Sequence, residues 1–239
     1  MSHVYLSSQQ SQQVDRRAID EFGMSGLVLM ENAGRGATDV LVRLMEQAQL
    51  LVADQGPIFV CCGGGNNGGD GLVMARHLDL RGYAVRVLLW ANPKKLTPDA
   101  AANYEIIRKS DVPLAVLGPD YDEQQLASSL GTASWIIDAL LGTGARGEPR
   151  PPMDRVIDQL NDSGQPILAV DVPSGLDCDT GQPSSHAIRA LATCTFVAPK
   201  RGFKEASAQG CVGDLYVLDI GAPRKLLDEV LATAGRSSN

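Results

Sequence analysis

The chain has no run of about 18 apolar residues, so no segment reads as a membrane-spanning helix. The stretch Met1 to Gln10 lacks the basic start and apolar core of a secretory signal. Clustered basic charge is missing too: 21 Lys and Arg are scattered among 28 Asp and Glu, a net charge of −7. That balance argues against nucleic acid as a partner. Histidine is scarce, and His3, His77 and His186 show no ligand spacing to one another or to a cysteine, which speaks against zinc. The five cysteines, Cys61, Cys62, Cys178, Cys194 and Cys211, are odd in number and form no C-x-x-C pair. They are expected to be reduced, mostly buried thiols of a cytoplasmic protein. Internal repeats and low-complexity tracts are absent.

What is present suits one α/β domain over residues 1–239, with 44% apolar and 21% charged residues. Six glycines fall in nine residues, Gly63 to Gly71, directly after the apolar run Ile58-Phe59-Val60-Cys61-Cys62. Without Cβ atoms such a loop can turn through positive φ and expose N–H groups, at about 0.5–1 kcal/mol per glycine relative to alanine. The stretch from Asp70 to Arg81 reads as a helix, and a strand, glycine loop and helix in that order aim N–H groups and a positive dipole end at an anion.

Two helices precede the first strand. One starts at a Ser7 or Ser8 cap and carries Val14, Ala18, Ile19 and Phe22 before Gly23; the other covers about Leu27 to Gln47. From Pro57 onward short apolar runs alternate with helical patterns, the mark of a parallel sheet. The expected strands are 58–62, 84–89, 114–117, 135–138, 167–170, 193–197 and 215–218, and the expected helices between them are 70–81, 98–109, 122–130 and 152–161. The tail from Arg224 is expected to fray.

Ligands of an open parallel sheet sit beyond the carboxyl ends of its strands. Three loops there carry acids: Gly63 to Asp70, Asp138 to Glu148, and Asp171 to Asp177. Gly63-x-Gly65-x-x-Gly68 matches a dinucleotide fingerprint formally, yet the acid expected about 20 residues on is missing from Leu89-Trp90-Ala91-Asn92. A Walker loop fails because no Gly-Lys-Ser/Thr follows the glycines. Asp70, at its expected helix start, reads equally as a dipole partner and as a ligand contact. Asp138 and Asp171 end or follow apolar strands, where a desolvated carboxylate needs a partner such as a cation, a substrate hydroxyl or N–H groups. With Asn67 and Ser174 they offer a set of oxygen donors suited to alkali or alkaline-earth cations. Arg146, in a second glycine loop, can fork onto a phosphate. Lys200 reads as an exposed lysine, with a cationic ligand contact as the alternative.

The motifs Leu29-Met30-Glu31-Asn32-Ala33-Gly34, Gly65-Asn66-Asn67-Gly68-Gly69-Asp70-Gly71, Asp138-Ala139-Leu140-Leu141-Gly142-Thr143-Gly144 and Asp171-Val172-Pro173-Ser174-Gly175-Leu176-Asp177 together resemble the YjeF N-terminal domain family, the NAD(P)H-hydrate epimerases. The resemblance runs from about Leu6 through Ile220. It implies a Rossmann-like three-layer α/β/α sandwich with a mostly parallel central sheet and N-terminal helices. The implied form is a homodimer that interconverts the R and S forms of NADHX and NADPHX. By that resemblance the substrate-binding residues are Asn66, Asn67, Gly68, Gly69, Asp70, Gly142, Thr143, Gly144, Ala145, Arg146, Gly147, Glu148 and Asp171. A potassium ion, K+, would be held by Asn67, Asp138 and Ser174.

The hydrate carries a hydroxyl on the carbon beside the ring nitrogen. That nitrogen's lone pair can expel the hydroxyl as water, and water returning to the other face inverts the centre. The route requires an acid for the leaving hydroxyl and a base for the incoming water, and Asp171 is the residue expected to serve as both. The chain departs from the family at Leu191, where relatives often carry an acid. It is expected to epimerise without dehydrating, alongside a separate NAD(P)HX dehydratase. The alternative from another class is a non-catalytic binding scaffold of the same fold.

Overall fold

The computed structural model describes residues 4–48 and 56–236. Helix α1 (Ser8–Asp20) begins at a capping box: the Ser7 hydroxyl accepts from the Gln10 N–H, and the Gln10 side chain accepts from the Ser7 N–H. Helix α2 (Gly26–Gln47) follows. The remaining elements are β1 (Ile58–Cys62), α3 (Asn66–Leu80), β2 (Val85–Leu89), α4 (Pro98–Arg108), β3 (Leu114–Val116), α5 (Glu123–Leu130), β4 (Trp135–Ala139), α6 (Met153–Asp162), β5 (Ile167–Val170), β6 (Ala192–Phe196), α7 (Gln209–Val212), β7 (Asp214–Leu218) and α8 (Arg224–Arg236).

The strands form one seven-stranded sheet in the order β3-β2-β1-β4-β5-β6-β7, and every neighbouring pair is parallel. Residues of β1, β4 and β5 are buried throughout, because layers cover both sheet faces. Period-two alternation sorts β1 between them. Ile58, Val60 and Cys62 pack with Leu41 of α2, Leu72 of α3 and Ile107 of α4, while Phe59 and Cys61 pack with Leu130 of α5 and Val156 of α6. Chain order reverses between β1 and β4, so a crevice opens beyond their carboxyl ends.

A third apolar cluster sits at that edge. Val14 and Ala18 of α1, Leu29 and Ala33 of α2, and Leu226, Val230 and Ala234 of α8 bury one another there. The C-terminal segment expected to fray is therefore a helix through Arg236, held by its own apolar stripe, and residues 237–239 lie outside the described residues. The five cysteines are buried and unpaired, as expected.

Candidate active site

Helix α3 begins at Asn66 and not at Asp70. The glycine stretch is helical because the closely packed surroundings override a weak local propensity. Close approach requires these glycines, not handedness, since none from Gly63 to Gly71 has positive φ. A Cβ on Gly63 would stand 1.9 Å from the Leu140 carbonyl oxygen, and one on Gly68 would stand 2.0 Å from the Gly63 carbonyl oxygen. The loops after β1 and β4 thus lie against each other. Gly65, at the N-cap, brings no capping side chain, so the first-turn N–H groups of α3 remain for a ligand beside exposed Asn66.

Asp138, in β4, is fully buried and bound by the next loops. Its Oδ2 accepts from the Ser174 N–H at 2.8 Å, and its Oδ1 from the Ser174 hydroxyl at 2.6 Å and the Leu140 N–H at 3.2 Å. Burial outweighs these bonds and raises its pKa to about 6. The Leu141 N–H donates to Ser174 Oγ at 2.9 Å, and Asn67 Nδ2 donates to the Leu141 carbonyl at 2.9 Å. Asn67, Ser174 and Asp138 are therefore joined through one residue, Leu141. Asn67 Oδ1 is buried without a hydrogen-bond partner.

A cleft opens beside this knot, lined by Asp15, Asp70, Asp171 and Lys200 together with Asn66, Thr143 and apolar side chains of α1, α2 and β6. Asp171 and Val197 sit at its rim with φ of 62° and 69°. Each is the middle of a three-residue turn, closed by Val172 N–H to the Val170 carbonyl and by Ala198 N–H to the Phe196 carbonyl, both 2.8 Å. This is the strained form of the γ-turn, at a cost of order 1–3 kcal/mol per residue. It bends the chain sharply at the ends of β5 and β6, at the mouth of the cleft.

Lys200 is not the exposed lysine that its sequence context suggests. It is 1% exposed, with Nζ 2.7 Å from Asp171 Oδ1 and 3.2 Å from the Phe196 carbonyl. A parallel bridge between Leu6 and Lys200 covers it, which local sequence does not reveal. Asp70 is not a cap either: it lies past the first turn of α3, is 9% exposed and has no hydrogen-bond partner among the described residues. Burial first, then repulsion from Asp171 and Asp15, hold its pKa well above the ordinary carboxylate range.

Asp15 is the site residue that sequence reasoning missed. Asp15 is exposed at the mouth of the cleft; partial desolvation there and then repulsion from Asp171, offset in part by Lys200, raise its pKa to about 6. Its signal was the helical row Ser11, Asp15, Ile19, spaced i, i+4, i+8 beside the apolar Val14 and Ala18; all three of that row line the cleft.

The loop 142–148 divides. Thr143 faces this cleft, whereas Gly142, Ala145, Gly147 and Glu148 line a neighbouring recess with Pro173 and Asp177. Arg146 turns to Asp179 at 2.9 Å and to Ser8, and Glu148 accepts from the Ser185 N–H. Leu191 precedes β6, at the opposite sheet edge from Asp171, and is 55% exposed. His77 meets Glu31 and His186 meets Asp158, each at 2.8 Å, and His3 lies outside the described residues.

A fully parallel sheet whose switch-point crevice is lined by acids and opened by a glycine-rich helix start defines a Rossmann-like protein for a small polar ligand. The family described as YjeF-related protein N-terminus matches residues 26–202, and the chain belongs to it. A Pirellula staleyi protein named NAD(P)H-hydrate epimerase is 43% identical over 221 residues, 92% of this chain and 93% of that protein. A Rhodopirellula baltica protein of the same name is 37% identical, over 93% of this chain and 86% of its own. A bifunctional NAD(P)H-hydrate repair enzyme of Moorella thermoacetica is 40% identical over 90% of this chain, which spans only 40% of that longer protein. A yeast protein of known crystal structure superposes with a TM-score of 0.80 at 28% identity, covering 95% of this chain and 93% of its own.

Proposed function

We propose that this chain is an isomerase that interconverts the R and S epimers of NADHX and NADPHX, a repair reaction on damaged nicotinamide cofactor. The observation that carries this reading is the near full-length similarity to proteins named NAD(P)H-hydrate epimerase. The crevice supplies the means. The N-terminus of α3, with Asn66 to Asp70, suits the diphosphate, and loop 142–148 contributes Thr143 to the same cleft and its other residues to the neighbouring recess. The hydroxylated ring then belongs in the cleft with Asp171, where apolar walls from α1, α2 and β6 limit competing water.

Asp171 handles a proton at the hydroxyl or water oxygen, and its carboxylate places negative charge beside the iminium that forms. Lys200 holds that carboxylate in place. In the test, R-NADPHX is given to the purified chain with a dehydratase specific for the S form. Wild type should accelerate conversion and Asp171→Asn should lose at least about 100-fold. A folded Asp171→Asn variant with the wild-type rate would overturn the assignment, and a wild-type chain no faster than spontaneous epimerisation would point to the scaffold.

A potassium ion would be held by Asn67, Asp138 and Ser174. These are hard oxygen donors, and the buried Asn67 Oδ1 lacks the partner that a cation would be. When bound, the ion supplies positive charge that ties loop 140–143 to loop 171–174. Potassium chloride should raise the melting temperature above that in choline chloride, and Asn67→Ala should remove the difference.

The protein is further read as a cytoplasmic homodimer working beside a separate NAD(P)HX dehydratase. Five unpaired, buried cysteines support a reducing compartment, and exposed Leu215 and Val217 on edge strand β7 support a partner surface. No helix among the described residues is long and apolar enough to cross a membrane. Light scattering after gel filtration decides the oligomeric state.

A further inference from the structure

Inversion by loss and return of water needs proton handling on both faces of the ring. A single rigid carboxyl reaches one face. Asp171 comes from the end of β5 and is fixed there by Lys200 and by its strained turn. Asp15 comes from α1, which closes the cleft from outside the sheet: Leu6 just before α1 pairs with Lys200, and Val14 and Ala18 anchor the helix in the cluster shared with α2 and α8. Asp15 thus occupies a different wall of the same cleft, and it lies outside the family match at 26–202.

We propose that Asp15 is a second catalytic acid/base residue, serving the ring face opposite Asp171. This rests on the epimerase reading above. In one direction the Asp15 carboxyl gives its proton to the hydroxyl as the carbon–oxygen bond breaks, and the ring nitrogen's lone pair forms the iminium. The Asp171 carboxylate then takes a proton from water as that water's oxygen bonds to the opposite face and the electron pair returns to nitrogen. No electron is gained or lost overall. Asp15 ends deprotonated and Asp171 protonated, the state required for the reverse reaction, and a proton passing through cleft water resets the pair.

The surroundings support the division of labour. Lys200 pairs with Asp171 at 2.7 Å, which suits Asp171 to the base role in this direction and leaves the acid role to Asp15. Asp15 shares the cleft with Asp70 from α3, Asp171 and Lys200 from the ends of β5 and β6, Asp99 from α4, and Ser11 and Gln12 of its own helix. Partial desolvation in the cleft and then repulsion from Asp171 raise its pKa to about 6 although its side chain stays exposed, so it exchanges its proton near neutrality. Asp70, nine-tenths buried, lines the same cleft, where burial and then repulsion from Asp171 and Asp15 push its pKa up and favour its protonated form. Asp15 also keeps contact with solvent, which delivery and release of water require.

The test incubates single epimers of NADPHX with the protein in heavy-oxygen water and follows both inversion and label uptake. Wild type should show both. Asp15→Asn should lose inversion by about 100-fold or more. It should still place label into one epimer with retained configuration, because Asp171 alone lets water leave and return on its own face. Asp15→Glu should regain inversion relative to Asp15→Asn. A folded Asp15→Asn that inverts at the wild-type rate, or loses inversion and exchange together, overturns the proposal, as does Asp15→Glu behaving like Asp15→Asn. Wild type that inverts no faster than the spontaneous reaction would instead overturn the epimerase reading, and this proposal with it.

Discussion

Replacing Lys200 with methionine tests the electrostatic centre of the cleft. Lys200 is 1% exposed and its Nζ lies 2.7 Å from Asp171 Oδ1. At that separation and an effective dielectric constant of 20 the attraction is about 6 kcal/mol, much of which repays the desolvation of the ammonium. Removing one partner of such a pair typically costs about 3–5 kcal/mol, because the other charge is left behind. Asp171 keeps 16% exposure, so water recovers part of its solvation, and the lower end, about 3 kcal/mol, applies. In a chain of this size that lowers the melting temperature by about 6–12 °C. Removing both charges in Lys200→Met/Asp171→Asn leaves no orphaned ion, and the double variant should lie within about 1 kcal/mol of wild type. Urea denaturation of the four proteins at neutral pH gives the coupling energy directly. A coupling below about 0.5 kcal/mol, with the two single effects simply adding, would refute the pairing.

Gly68→Ala should cost about 1–3 kcal/mol and raise KM, since its Cβ would press on the Gly63 carbonyl at 2.0 Å and part the loop from the helix start; thermal melting and steady-state kinetics check this. Leu191→Glu should leave the epimerisation rate within about twofold of wild type, because its exposed side chain stands at the far edge of the sheet and surface changes away from special features are nearly silent. Asp15→Asn should be more stable than wild type at pH 8. Folded Asp15 titrates near 6 against an ordinary 3.8, so wild type loses stability as pH rises through that window and the deficit is complete above it. The full shift corresponds to about 3 kcal/mol, which cleft water reduces to about 1 kcal/mol. Denaturation at pH 8 and below pH 4 checks it, and the difference should vanish in acid.

Local pattern carried the sheet. Strands buried on both faces are continuous apolar runs, so 58–62, 135–138 and 167–170 were legible as core strands, and helices between them implied parallel pairing. Asp138 and Asp171 were legible as well, being carboxylates at the ends of such runs. The start of α3 was not, because Asn66 to Gly69 have poor helix propensity and are held helical by packing against Gly63, Met30 of α2, Ala100 of α4 and the loop after β4. The order of α8 was hidden for a similar reason: its stripe matters only once α1 is there to receive it.

The amino-acid sequence by itself determined the class of fold, the glycine opening before α3 and the acids beyond β4 and β5, since these follow from period, run length and residue chemistry close together in the chain. The tertiary structure alone decided which charges meet. It buried Lys200 under the segment before α1, set it on Asp171, and brought Asp15 from α1 to a cleft with Asp70 and Asp171. An ion pair and a raised pKa depend on distance and solvation in three dimensions, and residues 15, 70, 171 and 200 become neighbours only when the sheet closes.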